Sequence, residues 1–184
     1  MNDIHGDCQS VLVCEREIEE ICERLAKQIT ADYADSGREL IFVIVLKGSV
    51  MFAADLIRRV PLISAMEFMK VSSYGSESQS SGTLQVHLDL KRDVKGSDVV
   101  IIEDIVDSGR TLKHLSELLA ERGANSVRSC TLLDKPDRRA VDFEPDYVGR
   151  IIPDVFVVGY GLDYDEKYRH LPYVGVLKPS VYQK

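Results

Sequence analysis

The chain has 184 residues, 45% of them apolar and 29% charged, with a formal net charge of −7 at neutral pH. That length suits one domain with a sizeable core, and the composition excludes disordered, fibrous and disulfide-dense classes. The acidic balance argues against a nucleic-acid surface, which carries a basic excess, but not against a phosphorylated substrate, because a divalent cation bridges acids to phosphate.

The opening MNDIHGDCQS lacks a basic stretch followed by an apolar one, so no signal peptide is expected. Met1 to Cys14 carries no motif that can be placed. From Glu15 to Tyr33 apolar residues recur at Ile18, Ile21, Cys22, Leu25 and Ile29, which is helical spacing, and Gly37 ends the segment. Ile41 to Leu46 is an unbroken apolar run, a strand covered on both faces. Lys47-Gly48-Ser49 turns it into an apolar helix over Val50 to Arg59, and strand–turn–helix order predicts a parallel α/β sheet.

Ala65 to Ser73 and Leu84 to Leu88 read as two strands of a hairpin. Its tip, residues 72–83, is polar and rich in Ser and Gly, and is expected to be a mobile lid. Val127 to Leu133, Tyr147 to Ile152 and Val155 to Gly159 are further strands, and Tyr173 to Leu177 is expected at a sheet edge. Cys8, Cys14, Cys22 and Cys130 form no C-x-x-C pair, so free thiols and a reducing cytoplasm are expected. The apolar runs are too short to span a bilayer.

Asp98 to Leu112, DVVIIEDIVDSGRTL, organises the rest. Its β-branched run Val99 to Ile102 ends in Glu103 and Asp104, and Asp107 follows. Carboxylates at the exit of a core strand are costly unless a ligand, a metal or a helix N-terminus accepts their charge. Ser108-Gly109-Arg110-Thr111 then leads into an amphipathic helix over Leu112 to Arg122, closed by Gly123. Strand, small-residue turn and helix start make an anion cradle, so the predicted ligand combines hydroxyls, phosphate and a divalent cation.

This run resembles the phosphoribosyl-pyrophosphate (PRPP) motif of the type I phosphoribosyltransferases. LKGS at Leu46 to Ser49, SSYG at Ser72 to Gly75, LLDKPDRR at Leu132 to Arg139 and the stretch from Ile152 to Gly175 are similar to the bacterial hypoxanthine branch of that family. The resemblance implies an α/β fold of the type I class: a parallel sheet flanked by helices, a small hood and a hairpin lid. It implies a single domain over residues 1–184, with the hood built from the N-terminal segment and roughly residues 150–184. It also implies transfer of 5-phosphoribosyl from PRPP to N9 of hypoxanthine, with guanine accepted, Mg²⁺ as cofactor, and a homodimer or homotetramer without nucleic-acid or membrane partners.

Residue roles carried by the resemblance are as follows in chain order. Lys47 and Gly48 bind pyrophosphate through the backbone of a loop with a cis Leu46–Lys47 peptide. Ser73 and Tyr74, in the lid, close over the reacting centre. Glu103 and Asp104 take the ribose hydroxyls and contribute to the metal site, and Asp107 performs acid–base work at the purine. Ser108, Gly109, Arg110 and Thr111 hold the 5′-phosphate. Lys135 donates to the purine 6-oxo group, Phe156 stacks on the ring and the Val157 backbone reads its edge. Asp163 borders the purine and ligates Mg²⁺, and Arg169 clamps pyrophosphate. Asp165 and Glu166 read as a solvated acidic turn.

The other readings are weaker. A phosphoreceiver domain needs its acidic pair near the chain start. A dinucleotide or P-loop site lacks its glycine pattern, because Gly159-Tyr160-Gly161 has no third glycine. A non-catalytic relative that regulates by binding RNA or nucleotide would show a basic face.

Overall fold

The computed structural model describes residues 4–73 and 84–183. In chain order these form a 3-10 turn (Ile4–Asp7), β1 (Cys8–Val13), α1 (Glu15–Tyr33), β2 (Leu40–Val45), α2 (Val50–Ile57), β3 (Ser64–Ser73) and β4 (Leu84–Leu88). They continue with β5 (Asp98–Val106), α3 (Arg110–Glu121), β6 (Ser126–Asp134), a second 3-10 turn (Pro136–Arg138), β7 (Tyr147–Ile151), β8 (Val157–Val158), β9 (Val174–Leu177) and α4 (Pro179–Tyr182).

Among the described residues the strands make two sheets. The larger has the order β4-β3-β2-β5-β6-β7. It is parallel from β3 to β7, with β4 antiparallel at the edge. All six residues of β2 are buried, as an apolar run covered on both faces must be. Alternation then sorts its neighbours. Phe42 and Ile44, with Val100 and Ile102 of β5, belong to the cluster formed with Leu25 and Ile29 of α1 and Phe52 and Leu56 of α2. Ile41 and Val43, with Val99 and Ile101, belong to the opposite cluster with Leu112, Leu115 and Leu119 of α3. Helices therefore cover both faces of the sheet.

The smaller sheet, β1-β9-β8, is antiparallel and joins the two ends of the chain. Here the structure corrects the sequence reading. β9 lies in the middle, not at an edge, because β1, which showed no pattern, pairs along it. β1 keeps only Val13 fully buried, so no apolar alternation marked it. A second correction concerns β5, which does not stop at the acids but continues through Glu103 and Asp104 to Val106.

The start of β5 is anchored by a buried carboxylate. Asp98 Oδ1 accepts hydrogen bonds from Asn125 Nδ2 at 2.7 Å and Ser126 Oγ at 2.6 Å, and the Asp98 N–H donates to the Glu39 carbonyl at 2.9 Å. These bonds tie β5 to the starts of β2 and β6, at the opposite end of β5 from its acids. Asp98→Ala should cost about 1–3 kcal/mol of unfolding free energy, because two hydrogen bonds to a buried charged acceptor are lost. Urea unfolding should show that loss while the Michaelis constants of the folded protein stay unchanged.

Candidate active site

Strand alternation continues past the core and splits the acids at the end of β5. Glu103 lines a cavity of about 230 Å³ with Asp107, Ser108, Gly109 and Thr111. Asp104 lines a second cavity of about 540 Å³ with Lys135, Phe156, Val157, Asp163 and Arg138. Ile105 and Asp107 line both. One void is a cradle at a helix start and the other a slot with an aromatic ring. Asp107 stands at their junction.

The cradle is built locally. Gly109 caps α3 with φ of 79°, a left-handed conformation that β-carbon-bearing residues rarely take. Its carbonyl accepts the Lys113 N–H at 3.0 Å, and the Ser108 carbonyl accepts the Ala140 N–H at 3.0 Å. The turn is thereby fixed, and the first N–H groups of the helix, which have no acceptor within it, lie beside the cavity.

The slot is assembled from distant segments. Pro136 starts the turn after β6, which brings Arg138 back over the site. Arg138 Nε donates to Asp107 Oδ1 at 3.1 Å and Arg138 Nη1 to Asp154 Oδ2 at 3.3 Å, while Lys135 Nζ lies 3.5 Å from Asp154 Oδ1. Charges alternate along this row, Asp107, Arg138, Asp154, Lys135. Phe156 is not core filler. It is 39% exposed, its ring stacked on Tyr182 with centroids 4.8 Å apart and edge-on to Tyr164 at 5.8 Å.

A third group closes the far side. The Leu46–Lys47 peptide is cis. Gly48 lies directly beneath Asp104, where an added β-carbon would come within 1.5 Å of Asp104 Oδ2. Gly161, with φ of 101°, abuts the same loop, and a β-carbon on it would sit 1.8 Å from the Gly48 carbonyl oxygen. Arg169 Nη1 donates to the Gly161 carbonyl at 2.7 Å, Arg169 Nη2 meets Asp163 Oδ1 at 2.9 Å, and Arg169 Nε is buried with no hydrogen-bond partner. A buried guanidinium N–H without an acceptor suits an anion. Glu166, exposed as expected, also accepts from Lys47 Nζ at 2.8 Å.

The structure thus brings Lys47, Gly48, Glu103, Asp104, Asp107, the 108–111 turn, Lys135, Phe156, Val157, Asp163 and Arg169 to one end of the large sheet. Of the lid residues, Ser73 ends β3, whereas Tyr74 and the rest of the lid through residue 83 lie outside the described residues. Sequence reasoning missed Arg138, Asp154, Tyr182 and the pairing of Glu166. Only Arg138 had a local signal, the Pro136 that turns the chain back.

The electrostatics are lopsided. Burial, and then the neighbouring Asp104 charge, push the Glu103 carboxyl well above the usual carboxylate range; burial likewise raises Asp104. Among the described residues no cluster of three or more acidic, His or Cys side chains forms a ready-made metal site. Glu103 and Asp104 remain a pair in need of positive charge, while both Asp163 oxygens are engaged, one by Arg169 and one by the Glu166 N–H at 2.9 Å. That donor set fits a hard cation taking most of its ligands from water and substrate.

Residues 12–165 match the family profile described as a phosphoribosyl transferase domain, so sheet, cradle and slot are those of a phosphoribosyltransferase. Hypoxanthine-guanine phosphoribosyltransferase of Staphylococcus aureus is 51% identical over 179 residues, 97% of this chain and 99% of the relative. That of Staphylococcus epidermidis is 51% identical over 181 residues, 98% of this chain and 100% of the relative. The crystal structure of a hypoxanthine phosphoribosyltransferase from S. aureus superposes with a TM-score of 0.94 at 50% identity, covering 100% of both chains. A Trypanosoma cruzi hypoxanthine phosphoribosyltransferase gives 0.92 at 42% identity, covering 96% of this chain and 94% of that one. The chain belongs to the hypoxanthine-guanine phosphoribosyltransferase family.

A raised carboxyl makes a stability prediction. Between its unfolded value near 4.5 and its higher folded value, Glu103 holds more proton in the folded state, so stability falls as pH rises through that window. Glu103→Gln removes the penalty. The variant should melt higher than the parent at pH 7.5, with the gap closing below about pH 4. Calorimetric melts across that range check the sign.

Proposed function

We propose that the protein transfers the 5-phosphoribosyl group of PRPP to N9 of hypoxanthine, and of guanine, in purine salvage, releasing pyrophosphate with IMP or GMP. One observation carries the reading. A phosphate-type cradle and an aromatic slot with a lysine share Asp107 at their boundary, where a bond between sugar and base would lie.

The cradle at Ser108, Gly109, Arg110 and Thr111 takes the 5′-phosphate. Glu103 and Asp104, as acceptor-only carboxylates, receive the ribose hydroxyls. Lys47, Gly48 and Arg169 take the pyrophosphate, and the unpaired Arg169 Nε supports that assignment. Glu103, Asp104 and Asp163, together with substrate oxygens, would hold Mg²⁺, which would neutralise charge on the pyrophosphate. The base lies against Phe156, its 6-oxo oxygen accepting from Lys135 Nζ and its edge facing the Val157 backbone. Asp107 shares the proton at N7, so N9 attacks C1′ while the ring stays near neutral. Positive charge growing on the ribose ring faces the carboxylates at the end of β5, which stabilises it. The lid, with Ser73 and Tyr74, excludes water, the competing nucleophile.

The unit is a single domain whose hood is the small sheet with its flanking loops. Apolar surface left on α2 and β3 by Met51, Met66 and Phe68 supports a homodimer or homotetramer. Four free cysteines support a cytoplasmic setting, and no described helix is long and apolar enough to cross a membrane.

Incubation with Mg²⁺, PRPP and each purine base tests the reading: nucleotide should form with hypoxanthine and guanine but not adenine, and no product with any base overturns it. Lys135→Ala should lower kcat/KM for hypoxanthine about 10- to 100-fold with the KM for PRPP little changed, as expected for one charge-assisted hydrogen bond. Asp107→Asn should lower kcat by about 10² or more while PRPP affinity moves far less. Equal losses in both would contradict an acid–base role.

A further inference from the structure

Glu166 lies in an exposed acidic turn, as expected, but it is also paired. One oxygen of this side chain, Oε2, lies 2.8 Å from Lys47 Nζ and 3.4 Å from Arg169 Nη2. These two cations come from separate parts of the chain: Arg169 and the Lys47 backbone are assigned above to pyrophosphate, and the Lys47 ammonium is carried on that same loop. We propose that Glu166 is a built-in substitute anion, occupying the pyrophosphate clamp whenever the diphosphate is absent, and that by competing for Lys47 and Arg169 it weakens the enzyme's hold on pyrophosphate and eases its departure. The inference rests on the clamp assignment.

Three features favour a placed carboxylate over a chance surface contact. The turn is built for it: Asp165, Glu166 and Tyr168 have φ of 52°, 60° and 74°, left-handed conformations that residues other than glycine seldom adopt. The turn is also pinned, because the Glu166 N–H donates to Asp163 Oδ2 at 2.9 Å, and Asp163 in turn holds Arg169. Finally, the contacts leave the clamp unsaturated. Arg169 Nε is buried without a partner, so a larger anion gains a donor that Glu166 does not reach.

Exchange is then straightforward in electrostatic terms. Glu166 and Lys47 are each more than half exposed, so their pair is screened and weak enough to open. The Lys47 hydrogen bond lowers the Glu166 pKa, keeping it ionised at neutral pH. Pyrophosphate has more charge and more acceptor oxygens, and displaces the side chain. The displaced carboxylate stays on the same short turn, where like charge opposes the bound anion. When pyrophosphate leaves, Glu166 returns to Lys47, while Arg169 keeps Asp163 throughout. In a group-transfer enzyme whose product contains the most highly charged part of the donor, such a replacement keeps the clamp from retaining product.

Titration calorimetry with magnesium pyrophosphate, on the parent protein and on Glu166→Gln and Glu166→Ala, tests this. Gln keeps an acceptor without the charge, and Ala removes both. Both variants should bind magnesium pyrophosphate about three- to tenfold more tightly, the scale of one partly screened charge contact. The KM for PRPP should fall in parallel while the KM for hypoxanthine stays put, a split that general loosening of the turn would not produce. Unchanged or weaker pyrophosphate binding in the variants, with the parent binding normally, overturns the role of Glu166 alone. A parent protein that binds no magnesium pyrophosphate overturns the clamp assignment, and this inference with it.

Discussion

The geometry depends on one close approach, where the end of β5, the loop after β2 and the turn at Gly161 meet backbone to side chain. Asp104 sits over Gly48 with no room for a β-carbon, and the Gly48 carbonyl sits under Gly161 with none either. Two glycines are therefore a requirement of distance, not of flexibility. The close fit lets a carboxylate, a backbone loop and an arginine-bearing turn face one small volume. Widening it by one methyl group at either glycine would push the hood turn away from the large sheet. Arg169, whose Nη1 is held by the Gly161 carbonyl, would move with it.

Charge in the site is arranged by the same packing. Carboxylates at the carboxyl end of a parallel sheet are half-buried, and desolvation drives Glu103 and Asp104 towards their protonated forms. Among the described side chains the cations near them are engaged elsewhere: Lys47 with Glu166, Arg138 with Asp107 and Asp154, Arg169 with Asp163. The acidic pair is left in want of a cation, at a cost to stability that ligand binding relieves. That fits a site adapted to a metal–diphosphate ligand more than to a rigid fold.

Legibility in the sequence follows from where the deciding partners lie. β2, β5 and β6 announce themselves because burial on both faces demands continuous apolar runs, and the cradle because strand, Gly109 turn and α3 are consecutive. β1 and the place of β9 were hidden. A strand with one fully buried residue carries no periodicity, and its pairing joins Cys8 to Leu177 across nearly the whole chain. The pairing of Glu166 was hidden for the same reason: its partner Lys47 lies 119 residues away. That the strand ran on through Glu103 and Asp104 was obscured because charged residues normally end a core strand. Here they prolong it because the carboxyl end of the strand opens into two cavities.

The two halves of the site are thus made by different means, and this has a physical consequence. The cradle is a continuous strand–turn–helix, tied to the rest of the site where the Ser108 carbonyl accepts the Ala140 N–H and the Asp107 carbonyl accepts from Arg139. The slot and clamp need β6, the turn after it, β8 and the Gly161–Arg169 segment to come together, held by a three-stranded sheet, a few ion pairs and the contacts of Val157, Tyr160, Leu162 and Val174 with the core cluster under α1 and α2. Partial opening therefore disturbs the slot and clamp before the cradle. On the proposed assignment the sugar phosphate lies on the locally built side and the base and pyrophosphate on the assembled one. Asp107 begins the turn of the first and accepts from Arg138 of the second at 3.1 Å, so it is tied to both.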